Sequence, residues 1–103
     1  YKMKNQKNTD FLEELYSIIK SRAQSKNKNS YTRLLVKQGK NKISRKIGEE
    51  SAELIVDYLN GSKKRTIEEA ADLIYHLLVL LYSKKITIKD IKKELAKRKS
   101  VRR

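Results

Sequence analysis

The chain has 103 residues and a mass of 12.1 kDa, enough for one domain with a modest core and close to the size at which oligomerisation often supplies further burial. It has no cysteine, which excludes a disulfide framework, a thiolate zinc site and a cysteine nucleophile and suits the cytoplasm; with no proline and three glycines, little interrupts helices. A formal net charge of +14, from 26 Lys and Arg against 12 Asp and Glu, implies an anionic partner: nucleic acid, an acidic membrane surface or a polyphosphate metabolite.

The first predicted helix has Thr9 as its cap and Asp10, Glu13 and Glu14 in its opening turn, where negative charge suits the helix dipole. Phe11, Leu12, Leu15, Ile18 and Ile19 form its apolar stripe, which fades near Lys26. After a solvated Lys26-Asn27-Lys28-Asn29 loop, Ser30 caps a short helix through Tyr31, Leu34, Leu35 and Val36, and Gly39 ends it. The third helix runs from about Lys40 to Asn60, with Asn60-Gly61 as its stop. Ile43, Ile47, Leu54 and Tyr58 follow one stripe, and Lys46, Glu50, Glu53 and Asp57 follow a neighbouring one. Gly48 inside it costs roughly 1 kcal/mol relative to Ala, which predicts close approach of a helix or ligand there.

Thr66-Ile67-Glu68-Glu69 matches a capping box and predicts the start of the fourth helix, with Glu69 reaching back to the Thr66 amide. Ala70, Ala71, Leu73, Ile74, Leu77, Leu78, Leu80 and Leu81 then cover most of the helix circumference. A chain this short cannot surround such a helix alone, so a homodimer is expected. The apolar run at residues 73–82 is about half of the roughly 20 residues that cross a bilayer, and the polar N-terminal residues do not read as a signal, with Met3 taken as the natural start. Thr87 caps a last helix from Ile88 to about Lys99, with Asp90 in its first turn and Ile91 and Leu95 facing inward. The expected fold is a single all-α domain over residues 1–103, a bundle of four to five helices completed by homodimerisation, with 1–8 and 99–103 as flexible ends.

Two acidic pairs stand against the basic background: Glu50-Ser51-Ala52-Glu53 and Glu69-Ala70-Ala71-Asp72. Carboxylates three residues apart share a helix face, so all four can converge on one cation, and an all-oxygen set suits Mg²⁺. Asp72 lies among Ala71, Leu73 and Ile74, where an unpaired carboxylate costs several kcal/mol. Arg65 and Lys84 fall at the helix ends, so a metal or a lysine from another helix is expected to balance it. Lys46, one turn before Glu50, is placed to meet a phosphate oxygen, although it also reads as one surface lysine among many. His76, one turn beyond Asp72, is either a hydrogen-bonded packing residue or a partner of Asp72. Tyr75 reads as core.

The segments Ser30-Tyr31-Thr32, Lys46-Ile47-Gly48-Glu49-Glu50 with Glu53, and Glu69-Ala70-Ala71-Asp72-Leu73-Ile74-Tyr75-His76-Leu77-Leu78 resemble the phosphoribosyl-ATP pyrophosphohydrolase family. That family lies within the MazG-like all-α nucleoside triphosphate pyrophosphohydrolases, and the resemblance covers roughly residues 9 to 97. It implies Mg²⁺ held by Glu50, Glu53, Glu69 and Asp72, with Glu49 close by, and a homodimer. It also implies hydrolysis of phosphoribosyl-ATP to phosphoribosyl-AMP and pyrophosphate, the second step of histidine biosynthesis. On the chemistry of the residues, Glu50 or Glu49 takes the proton of the attacking water, while Lys46, Tyr31, Thr32, Arg33 and His76 contact substrate. The alternatives are a housecleaning pyrophosphatase of the same group acting on (deoxy)nucleoside triphosphates and, well below it, a basic helical nucleic-acid-binding protein.

Overall fold

The computed structural model describes residues 10–101, so Thr9 and the expected flexible segment 1–8 lie outside the described residues, as do 102 and 103. Five helices follow one another, with no strand among the described residues: α1 Phe11–Gln24, α2 Tyr31–Gln38, α3 Lys40–Asn60, α4 Lys63–Ser83 and α5 Ile88–Val101. The all-α expectation is met. No described helix is long and apolar enough to cross a membrane.

Caps decide the boundaries. The N-cap of α1 is Asp10 rather than Thr9, because the Asp10 carboxylate accepts the Leu12 amide at 2.8 Å. Ser30 caps α2 by accepting the Arg33 amide, as expected. Gly39 sits at φ 93°, a left-handed conformation that glycine enters without a Cβ clash, so α2 can end and α3 begin on one residue. The start of α4 is four residues earlier than the capping box predicts. Ser62, directly behind Gly61, accepts the Arg65 amide at 3.0 Å, and the Thr66 hydroxyl instead donates to the carbonyls of Ser62 and Asp57. Glu69 is therefore well inside the helix and free of any capping duty. At α5 the expected cap holds: the Thr87 hydroxyl accepts the Asp90 amide at 3.2 Å and the Asp90 carboxylate accepts the Thr87 amide at 2.9 Å.

α3 and α4 form a long hairpin through Gly61 and Ser62, the most extensive helix pair of the fold. The buried core is Ile19, Leu35, Ile43, Leu78, Val79, Leu81 and Ile88, and Leu15, Tyr16, Val36, Tyr75, Leu80, Tyr82 and Ile86 pack around it. All of these lie outside residues 44–74, so α1 and α2 cover only one half of the hairpin. The other half exposes Ile55, Val56, Tyr58, Leu59 and Ile67. The predicted α3 stripe therefore splits, with Ile43 buried and Tyr58 75% exposed. Phe11, Leu12 and Ile18 also face outward, and Ile91 and Leu95, expected inward, are exposed. Gly48 has open space where a Cβ would go, so the close approach expected there is not made within this chain.

Ionic contacts fasten α5 to α1. Lys92 Nζ lies 2.9 Å from Asp10 Oδ2 and 3.1 Å from Glu13 Oε2. The Lys92 hydrogen bond, followed by the Leu12 amide, holds the Asp10 carboxyl below its usual 3.8. Hydrogen bonds to Asp10 and Glu13 raise Lys92 above its usual 10.5. The Asp10 contribution is present above pH 3.8 and lost as pH falls through the lower folded value; the Lys92 contribution is present below pH 10.5 and lost as pH rises through the higher one. Lys92→Gln is expected to remove this tie. Melting curves of wild type and variant should differ between these limits and converge beyond both; a gap independent of pH would refute the assignment.

Candidate active site at the carboxylate cluster

The uncovered half of the hairpin meets the packed half at Glu50, Glu69 and Asp72. One carboxylate oxygen from each of the three lies within 4.8 Å of the others. The spacing of the two acidic pairs makes this possible, since Glu69 and Asp72 are one turn apart on α4 and face Glu50 across the hairpin. Glu50 and Glu69 are buried, 7% and 6% exposed, while Asp72 is exposed. This reverses the sequence expectation for Asp72. The apolar neighbours that suggested burial lie on a side of α4 that α1 and α2 leave partly bare, where Ile74 and Leu77 are each 43% exposed. Asp72 also borders an apolar groove with Phe11, Leu12, Leu15, Ala71 and Ile74.

Each buried acid has a basic partner one turn earlier on its own helix. Lys46 Nζ lies 3.6 Å from Glu50 Oε2 and 3.9 Å from Glu49 Oε1, and Arg65 Nη2 lies 3.0 Å from Glu69 Oε2. The other oxygen of each, Glu50 Oε1 and Glu69 Oε1, is buried with no hydrogen-bond partner. Such atoms carry a desolvation cost that a cation relieves, and carboxylate oxygens are the donor set that a hard divalent ion takes. The residues present thus fit a metal. Burial first, then the neighbouring Glu53 carboxyl, push Glu69 above the usual carboxylate value, while Arg65 pulls it down. Glu53 is thus placed against Glu69, on the exposed side of α3. Glu49 is half exposed.

The remaining candidates divide into two groups. His76 is buried, and its Nδ1 lies 2.9 Å from the backbone carbonyl of Asp72, not from its carboxylate. A carbonyl only accepts, so Nδ1 carries the proton, and in the neutral ring Nε2 is left to accept from the Tyr31 hydroxyl at 2.7 Å. Burial raises the pKa of that hydroxyl, against Lys46, which keeps it protonated for the donation. Tyr31 and His76 thus link α2 to the turn of α4 that carries Asp72, with Tyr31 still 48% exposed. Thr32, in contrast, is buried and hydrogen-bonded to the Tyr75 hydroxyl. Arg33 is half-buried and has no ion pair among the described residues. A cleft of about 300 Å³ opens beside Tyr31, Thr32 and Tyr75, toward Arg22 and Asn29.

Sequence reading set Arg65 at a helix end and Asp57 on the stripe of Lys46, Glu50 and Glu53, and gave neither a role at the site. Arg65 Nη2 also lies 3.7 Å from Asp57 Oδ2, and Nη1 3.1 Å from Glu68 Oε1. The i,i+4 step from Arg65 to Glu69 was visible, but a helix beginning at Thr66 leaves Arg65 outside it.

The profile of the family described as Phosphoribosyl-ATP pyrophosphohydrolase matches residues 12–99. A phosphoribosyl-ATP pyrophosphatase of Clostridium novyi is 45% identical over 92 residues, covering 89% of this chain and 84% of the relative. One of Metallosphaera sedula is 46% identical over 90 residues, covering 87% and 97%. The histidine biosynthesis bifunctional protein HisIE of Bacteroides thetaiotaomicron is 43% identical over 97 residues, covering 94% of this chain and 48% of that longer protein. With the carboxylate cluster inside the matched segment, the chain belongs to the phosphoribosyl-ATP pyrophosphohydrolase family.

Proposed function

We propose that the chain is a Mg²⁺-dependent phosphoribosyl-ATP pyrophosphatase, hydrolysing phosphoribosyl-ATP to phosphoribosyl-AMP and pyrophosphate in histidine biosynthesis. The observation that carries the reading is the pair of buried, unpartnered oxygens on Glu50 and Glu69 beside Asp72, in a chain of this family. Glu50, Glu69 and Asp72, with Glu53 against Glu69, would hold the ion. When bound, Mg²⁺ supplies charge neutralisation on the phosphates and a polarised water.

The side chains account for the rest. Water's oxygen bonds to one of the two phosphorus atoms that flank the bridging oxygen, that P–O bond breaks, and phosphoribosyl-AMP and pyrophosphate separate. Glu50 or Glu49 accepts the water's proton. Glu49 is half exposed and held only loosely by Lys46, so it can take a proton without giving up a buried contact. Lys46 can exchange its long contacts with Glu49 and Glu50 for a phosphate oxygen. Tyr31, held by His76, faces the cleft where a ribose or base can lie, with Thr32 and Arg33 on the same helix. The surplus of basic residues attracts a polyphosphate from a distance, and the cation bridges carboxylates and phosphates that would otherwise repel.

A homodimer completes this reading, because the bare half of the hairpin and the groove beside Asp72 give a second copy an apolar face to cover. A cytoplasmic location accompanies it. The test is pyrophosphate release from phosphoribosyl-ATP by the purified chain. Turnover is expected with Mg²⁺ and should fall to background with a chelator. Hydrolysis of deoxynucleoside triphosphates with no turnover of phosphoribosyl-ATP would replace this reading by that of a housecleaning pyrophosphatase. Submicromolar binding of nucleic acid at physiological salt, with no hydrolysis, would overturn the enzyme assignment.

A further inference from the structure

Glu50 and Glu69 share a pattern that the spacing of the acids does not explain: in each, Oε2 is taken by a basic side chain one turn earlier and Oε1 is left alone. The two arrangements differ in strength. Lys46 stands 3.6 Å from Glu50, whereas Arg65 makes a 3.0 Å hydrogen bond to Glu69. Arg65 is itself held from three sides, by Glu68 and Glu69 on its own helix and by Asp57 across the hairpin. A planar guanidinium can serve those carboxylates together, with Nη1 on Glu68 and Nη2 between Asp57 and Glu69; an ammonium has no such fork.

We propose that Arg65 is a positioning residue for a divalent cation at the carboxylate cluster: it holds Oε2 of Glu69 and so presents Oε1 as the single oxygen offered to the ion. The inference rests on the metal reading above. As a contribution to stability the contact is small, since Arg65 is more than half exposed and surface ion pairs contribute little. Its effect is on rotamer choice. Without it, the Glu69 side chain is free to turn away from Glu50 and Asp72. Arg65 pins the carboxylate to the Asp57 side of the hairpin, where α3 and α4 are joined by the short Gly61–Ser62 turn.

Calorimetric titration of the full-length chain with Mg²⁺ alone, and with Mn²⁺ alone, tests this without any substrate. Arg65→Gln is expected to weaken cation binding by about 10- to 100-fold, the range found when a residue orienting a metal ligand is lost. Arg65→Lys should recover part of that loss. Arg98→Gln, which breaks the comparable Arg98–Glu94 pair on α5, should leave affinity unchanged. Circular dichroism establishes that each variant keeps its helices; should Arg65→Gln fail to fold, Arg65→Lys is still expected to bind several-fold more weakly than wild type. Unchanged affinity in the folded Arg65 variants, with wild type binding the ion, would overturn the positioning role alone, and tighter binding would make Arg65 a competitor of the cation. Failure of the wild-type chain to bind either ion would overturn the metal reading along with it.

Discussion

Glu69→Gln is expected to lower turnover of phosphoribosyl-ATP by about 10³-fold while raising the melting temperature of the metal-free protein. The loss follows from the site: a bound divalent ion supplies several kcal/mol of transition-state charge stabilisation, and roughly 4 kcal/mol corresponds to 10³ in rate. The stability gain follows from the pKa. Burial and Glu53 raise Glu69 above its usual 4.5, so the ionised side chain disfavours the fold. That cost is present above the raised value and disappears as pH falls through it toward 4.5. Glutamine removes the charge at every pH. Melts in the presence of a chelator should therefore show the variant above wild type at pH 7, with the gap closing on acidification, and saturating Mg²⁺ should favour wild type. Near-wild-type turnover by the variant would rule out Glu69 as a ligand. Asp72→Asn, on an exposed side chain, is expected to lose activity comparably with little change in the metal-free melt.

The second large effect concerns the bare half of the hairpin. Ile55, Val56, Leu59 and Ile67 are each more than half exposed. At about 1.5–3 kcal/mol for covering such a side chain fully, four from each of two copies approach or exceed the roughly 4–15 kcal/mol that association costs. Glu53, Asp57, Arg65 and Glu68 border the same stretch, with both signs of charge, which lets one surface meet its own copy despite the chain's net charge of +14. Wild type is expected to sediment at twice its 12.1 kDa mass. Ile55→Asp with Leu59→Asp should sediment as a monomer and lose at least about 10-fold in turnover, because the hairpin that carries Glu50, Glu53 and Glu69 loses its cover. A wild-type monomer with full activity would exclude the homodimer.

Sequence periodicity and punctuation located most of the helices. Lys40–Asn60 is bounded by Gly39 and Gly61, and Ser30 and Thr87 cap α2 and α5, because these signals act within one turn. Where two local signals competed, the reading went astray. Thr66-to-Glu69 forms a valid capping box on paper, but Ser62 accepts the Arg65 amide, four residues before the Glu69 amide that the box would use, and α4 starts there. At α1 the shift runs the other way: Asp10, one residue after Thr9, caps the helix with its own carboxylate.

The chemistry divides along a similar line. By itself the sequence determined the helical class, the family-bearing segments and the placing of paired carboxylates on two helices, since spacing along a helix dictates which residues share a face. Only the tertiary structure decided that Glu50 and Glu69 are buried with an unpartnered oxygen each while Asp72 is open, that His76 answers to a backbone carbonyl and Tyr31, and that Arg65 braces Glu69. Those outcomes depend on which neighbour covers each face of α3 and α4. A helix stripe records how apolar a face is, but the same leucines and isoleucines suit α1, α2 or a second copy of the chain, and burial follows from whichever one packs there.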